Sequence, residues 1–175
     1  MSLYGASVET GLHCLVSLVN PPASGTPSTR ELAEFQGVSP SYVAKLFTKL
    51  AKAGLIASAE GINGGFRLKK DPSKISLWEV INILEPNKPL FKCREIRQDF
   101  VLFDNKPPRW VKCGLCPIHA AMREAENSMR QSLENTFLTD IANQVGQNVP
   151  ASFGKKRDEW FANRLSTRRD SKVTP

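Results

Sequence analysis

Three of the four cysteines stand close together, as Cys93, Cys113 and Cys116, and the last is followed by Pro117, Ile118 and His119. A thiolate is a soft anionic donor, so three thiols in one short stretch suit a metal site or thiol redox chemistry better than a structural staple. Cys113 and Cys116, separated by two residues, can face one iron of an iron–sulfur cluster. With His119 the three thiols also make a Cys₃His set, the standard tetrahedral arrangement for zinc. A third possibility is a reversible disulfide, for which Cys113 and Cys116 are the natural pair. His119 ranks last as a ligand, because at the start of a helix it could serve only to cap or solvate that helix. Cys14 lies apart in an apolar stretch and reads as a small buried hydrophobe. Glu9 and His13 are spaced i, i+4 on the first helix and so share one face of it, at the edge of its apolar stripe. They could be an ordinary surface pair, or a carboxylate and an imidazole presented side by side to one metal.

The elements that must position these groups follow from periodicity. Val8, Leu12, Leu15, Val16 and Val19 give residues 8–19 a core-facing helical stripe. Asn20-Pro21-Pro22 ends that helix, and residues 20–27 are a loop. Ser28 or Thr29 can cap a second helix, with Glu31 or Glu34 close enough to help, and Gly37 stops it. Ser39 caps a third helix that has Pro40 at its first position, a stripe of Val43, Leu46, Phe47 and Leu50, and Gly54 at its end. A short helix, a tight turn with glycine and a longer helix make the helix-turn-helix signature. Residues 55–57 and 66–68 then read as strands around the turn at 60–65, a hairpin placed as a wing. Ser76 caps a short helix over 76–84. Residues 86–114, with four prolines, read as irregular, and a loop of that length is usually functional. From Pro117 to about Val145, Ile118, Met122, Ala125, Met129, Leu133, Phe137 and Ile141 recur at steps of three and four. This predicts one long helix with a narrow stripe suited to packing on a partner helix, plausibly from a second subunit. After Pro150 the tail is polar and basic, with one short helix expected around Trp160.

The predicted fold class is therefore mainly α with a small β wing: a winged helix-turn-helix plus a long dimerisation helix. The expected divisions are a DNA-binding domain over 1–85, a cysteine-containing sensor loop over 86–116, a dimerisation helix over 117–145 and a basic C-terminal tail over 146–175. At 175 residues the chain can bury a real core. No apolar run is long enough to span a bilayer, and the N-terminus lacks the pattern of a signal peptide, so the expected location is cytoplasmic. The net charge of +7 suits a polyanionic partner, although more than half of that excess lies in the tail. More telling is residues 28–70, where seven basic residues face three acidic ones.

A helix fits the major groove, and its N-terminal residues reach base edges and phosphates. On the third helix those are Ser39, Ser41, Tyr42 and Lys45, with Lys49 and Lys52 continuing the basic face and Arg67 and Lys69 available from the wing. The bland alternative is a helical hairpin with a solvated basic face, but a hairpin placed directly after the third helix has little purpose without DNA. No phosphate loop and no nucleophile–histidine–acid setting is present, so catalysis is not expected. A winged-helix adaptor without DNA is the other class to set aside, and salt-dependent duplex binding would separate the two.

Taken together, Ser39-Pro40-Ser41-Tyr42-Val43, Leu46, Leu50, Lys52-Ala53-Gly54-Leu55, Gly61, Gly64-Gly65-Phe66, Leu68 and Asp71-Pro72 resemble the Rrf-two (Rrf2) family of winged-helix transcription regulators, with its IscR-like, NsrR-like and RsrR-like branches. The resemblance runs from about residue 3 to residue 145. It implies a homodimer that binds a pseudo-palindromic operator in double-stranded DNA and senses iron–sulfur status, nitric oxide or redox state. The nineteen-residue gap between Cys93 and Cys113 is similar to one small branch, in which Glu and His of the partner's first helix help to hold a two-iron, two-sulfur cluster. Glu9 and His13 match that arrangement, so the resemblance implies Glu9, His13, Cys93, Cys113 and Cys116 as candidate ligands of a 2Fe-2S cluster, with zinc or no metal as the alternatives. Three residues depart from the pattern. Ala44 stands where an acidic residue is common, Glu60 where an arginine opens the wing turn, and Thr10 where the small branch has tryptophan. A carboxylate at the wing repels phosphate, so the operator is not to be borrowed from the IscR-like branch.

Overall fold

The computed structural model describes residues 3–22, 24–59 and 64–173, the last five of them by backbone alone. Its helices are α1 (Ala6–Val19), α2 (Thr29–Gln36), α3 (Pro40–Lys52), α4 (Leu77–Leu84), α5 (Arg109–Lys112), α6 (Pro117–Glu134), α7 (Leu138–Asn148) and α8 (Ala151–Val173). Between α3 and α4 run β1 (Ile56–Ser58) and β2 (Phe66–Leu68), antiparallel with Ala57 opposite Arg67. The architecture is the expected one, mainly helical with one small two-stranded sheet among the described residues. The wing tip at 60–63, Glu60 included, lies outside the described residues.

Local chemistry accounts for the helix-turn-helix. The Ser28 hydroxyl accepts the Glu31 N–H at 3.3 Å and the Glu31 carboxylate accepts the Ser28 N–H at 2.7 Å, a reciprocal cap that satisfies two helix-end donors. Gly37 ends α2 with φ 66°, a left-handed position that glycine takes at no steric cost. The α3 stripe of Val43, Leu46, Phe47 and Leu50 is buried against α1, α4 and β1. Phe47 meets Phe66 edge to face, with ring centroids 5.0 Å apart, and this locks the recognition helix to the wing. The wing is held from the other side as well. The Phe66 N–H donates to Pro27 O at 2.9 Å, and a Cβ on Gly65 would stand 2.1 Å from Thr26 O. Only glycine lets these two backbones approach so closely.

Two expectations are corrected. The helix expected over 117–145 is two helices, α6 and α7, broken at Asn135–Phe137. At the break the backbone turns to residues 75–77: Leu77 N–H donates to Thr136 O at 2.9 Å and Leu138 N–H to Ile75 O at 3.0 Å. Asp140 then accepts the Phe137 N–H at 2.8 Å and starts α7. Leu138 is fully buried in the core, so α7 packs into the domain. The tail, expected to hold one short helix, forms the 23-residue α8, which buries Phe161 and Leu165. Phe35 of α2 lies 5.0 Å from the Phe161 ring and 5.5 Å from the Trp160 ring.

Candidate nucleic-acid interface and cysteine site

Ser39, Ser41, Lys45 and Arg67 are exposed, and Tyr42 is half-buried against the core. Ser39 occupies the cap position of α3, yet its hydroxyl makes no cap bond. It pairs instead with the Ser41 hydroxyl at 2.9 Å. The Ser39 hydroxyl thus leaves the α3 N-terminus uncapped, and the partial positive charge and hydroxyls there can take a phosphate oxygen. Arg67 stands on the exposed side of β2. Lys49 differs from its neighbours. Its ammonium donates to Leu84 O at 2.8 Å, so it joins α3 to the carbonyl end of α4.

Cys93, Cys116 and His119 border one cavity of about 550 Å³, walled by Phe91, Ile96 and Phe100. Cys116 is buried, Cys93 half-buried and Cys113 exposed, and all are free thiols. Cys113 does not line the cavity. Glu9 and His13 are exposed on one face of α1, where they border other hollows with Leu77 and Ile141 or with Gln36 and Val38. Among the described residues no three His, Cys, Asp or Glu side chains converge closely enough to hold a metal ion. Among the described residues the donor set expected for a cluster or for zinc is thus not brought together within the chain. Cys14 is fully buried beneath the Gln36 amide, which donates to its sulfur at 3.2 Å. Burial pushes its thiol up to about 11, partly opposed by that hydrogen bond, and this makes it an inert structural group.

Two residues that sequence reasoning missed complete the region. Arg97, in the cavity wall, is pinned by Glu95 through Nε, while its buried Nη2 has no hydrogen-bond partner among the described residues. The Glu95 hydrogen bond holds its guanidinium above the usual range against the cost of burial, with smaller contributions from Cys116 and Cys93. Its only sequence signal is position, four residues beyond Cys93. Glu85 at the end of α4 accepts the Gly5 N–H at 3.2 Å through each oxygen and the Ser7 hydroxyl as well, capping α1 from across the domain. The hydrogen bond from Lys88, then that from Ser7, pulls its carboxyl down to about 2. No local pattern announces a cap supplied from eighty residues away.

The sequence and fold resemble known proteins. The family profile described as "Rrf2: Iron-dependent Transcriptional regulator" matches residues 4–144. YffB of Lactococcus lactis subsp. lactis (strain IL1403), named as an HTH-type transcriptional regulator, is 31% identical over 153 residues, 87% of this chain and 93% of that one. The HTH-type transcriptional regulator NsrR of Shouchella clausii (strain KSM-K16) is 28% identical over 133 residues, 76% of this chain and 83% of that one. Among solved structures, T. potens IscR superposes with a TM-score of 0.63 at 21% identity, covering 84% of this chain and 91% of that one. CymR (YrzC), the global cysteine regulator of B. subtilis, gives 0.62 at 22% identity, covering 82% and 98%. With a family profile spanning most of its length and a relative above 30% identity over nearly all of it, the chain belongs to the Rrf2 family of DNA-binding transcriptional regulators, and is not an enzyme.

Proposed function

We propose that the chain is a cytoplasmic, homodimeric regulator whose grip on a pseudo-palindromic operator depends on the chemical state of its cysteine region. The observation that carries this reading is the shared cavity of Cys93, Cys116 and His119 at the foot of α6. A change there acts directly on the base of a helix that buries none of its own residues within the protomer. Ile118 on that helix is 68% exposed, and with the half-buried Met122 and Met129 it makes the surface a second copy would cover in this reading, while Leu133 packs against the core of its own chain. Two such heads set recognition helices about 34 Å apart, one turn of duplex. Ser39, Ser41, Tyr42, Lys45 and Arg67 make the DNA contacts in this reading. Lys49 keeps its charge but directs one of its three donors to the end of α4, so it stands as a weaker contributor in this reading.

Thiol chemistry is the gate supported by one protomer. A 2Fe-2S cluster, or zinc, needs donors that one protomer does not bring together, with Glu9 and His13 of a second copy as the candidates. The deciding measurement is the visible spectrum and metal content of anaerobically purified protein, followed by operator binding before and after oxidation. Sulfur-to-iron absorption with two irons per chain establishes the cluster. Colourless, metal-free protein whose DNA binding changes on thiol oxidation establishes the thiol gate. Binding indifferent to both metal and oxidant would end the proposal.

A further inference from the structure

The helix α8 lies beyond the residues matched by the family profile, and its course along the DNA-reading head is specific. Trp160 and Phe161 meet Phe35, Arg164 pairs with Glu34 at 3.4 Å, and Arg168 pairs with Glu31 at 3.1 Å. As numbers rise along α8 they fall along α2, so the two helices run antiparallel. Arg168 then reaches past the start of α2 to Thr26 O at 3.4 Å, one residue from the Pro27 carbonyl that receives the Phe66 N–H. The C-terminal end of α8 therefore comes alongside the base of the wing, next in sequence to Arg67.

A cleft of about 280 Å³ opens at this meeting point, between the first turn of α2 and α8. Its charges are layered. The Glu31 and Glu34 carboxylates form the floor, their side chains 7% and 28% exposed, while Arg30 and Arg164 stand at the rim, 81% and 52% exposed. Three guanidiniums face two carboxylates, since Glu34 serves both Arg30, at 3.1 Å, and Arg164. Glu31 is already occupied by the Ser28 N–H and Arg168. The rim is positive, and the positive end of the α2 dipole adds to it. Trp160 backs the Arg164 guanidinium at 5.2 Å from its ring centroid, which holds that charge outward without consuming a donor.

We infer that Arg30 and Arg164 form a backbone-phosphate contact beside the wing, so that α8 widens the duplex footprint beyond what the helix-turn-helix and wing provide. The inference rests on the family's DNA binding and adds a surface to it. Phosphate is the fitting partner because the rim is cationic, forked and contiguous with the element that flanks the recognition helix. The other end of α8 serves as a built-in comparison. Lys155 and Lys156 are exposed there but stand about 13 Å back along the helix axis from Arg164, where Phe153 and Arg157 face α1 and α7.

The test is the salt dependence of full-length protein binding to a long random-sequence duplex, together with a hydroxyl-radical footprint on a selected operator. Arg30→Gln with Arg164→Gln should flatten the log–log salt slope by about one unit per lost contact and shorten the footprint at its outer edges. Lys155→Gln with Lys156→Gln should do neither. Should the arginine pair unfold the domain, Thr167→Glu places a carboxylate in the same cleft without removing an ion pair, and it should weaken binding. Unchanged slope and footprint in both cleft variants, while Lys45→Ala weakens binding, overturns the inference and leaves the DNA reading intact. An equal loss from the Lys155/Lys156 variant overturns it too, by showing a diffuse charge effect. Sedimentation altered in place of DNA binding would assign the cleft to a second copy and also overturn it.

Discussion

The reading head and the cysteine loop are built on opposite terms. In α3 each residue of the apolar stripe is at most 3% exposed, and its neighbours on α1, α4 and the wing fix its direction. In the loop, Ile96, Val101 and Leu102 are 64%, 89% and 85% exposed. The head is held by its own core and is ready to meet DNA. Val101 and Leu102 have little cover from the rest of the chain, while Val111 of the same loop is buried. Elements that move are drawn from the weakly packed end of a structure.

The strongest way to break this contrast is to compare matched truncations. Phe47→Ala should cost about 3–5 kcal/mol in urea unfolding, whereas Val101→Ala should cost less than about 0.5 kcal/mol. Comparable losses would erase the distinction. Next in size, Met129→Glu on α6 should bury an unpaired charge in the proposed dimer seam and weaken association by about 3 kcal/mol, a hundredfold or more. Sedimentation should show monomers with an intact head. A dimer of unchanged strength would place the seam elsewhere.

Glu85 sharpens the same contrast from within the head. Its folded carboxyl lies at about 2, below an ordinary value of 4.5. Its contribution is therefore complete above the unfolded value and is lost as pH falls through the folded one. Glu85→Gln should lower stability by about 1–2 kcal/mol at neutral pH, the scale of a lost helix cap. The gap to the wild-type protein should close between pH 4.5 and 2. A gap that persists at pH 2 would mean that packing, and not charge, is what Glu85 supplies. The smallest effect is chemical. An alkylating reagent at pH 8 should modify exposed Cys113 promptly and Cys14 only on unfolding, given burial and a thiol pushed up to about 11. Prompt labelling of Cys14 would show that the head opens as readily as the loop.

The head was legible in the sequence because its signals are local. Ser28 with Glu31, Gly37, Pro40 and the α3 stripe each announce their roles within one or two helical turns. The break at Asn135–Phe137 was not, because Phe137 and Ile141 continue the stripe in perfect step. The helix stops for backbone partners at residues 75–77, sixty residues away in sequence. Asp140 was the available sign of a new start. Residues 161 and 165, with Phe and Leu one turn apart, likewise signalled that α8 has a buried face, but the basic composition of the tail masked it. At the cysteine site the residue types were readable and their grouping was not. Spacing favoured Cys113 with Cys116, while in the fold Cys93 and Cys116 border one cavity that Cys113 does not line. Lys49 shows the same limit, since no local pattern on α3 announces its hydrogen bond to the end of α4.

The hydrogen bonds between residues 75–77 and 136–138 have a mechanical consequence. They are backbone bonds in both directions, Leu77 N–H to Thr136 O and Leu138 N–H to Ile75 O, so the joint between α6 and the head behaves as a weld and not as a hinge. An 18-residue helix is a lever about 27 Å long. A tilt of about 5° about its Cys116 end displaces the other end by roughly 2 Å, against the packing of α6 on α4. Under the thiol-gated reading proposed above, this joint is where a displacement begun at Cys116 would pass from α6 into the backbone of residues 75–77.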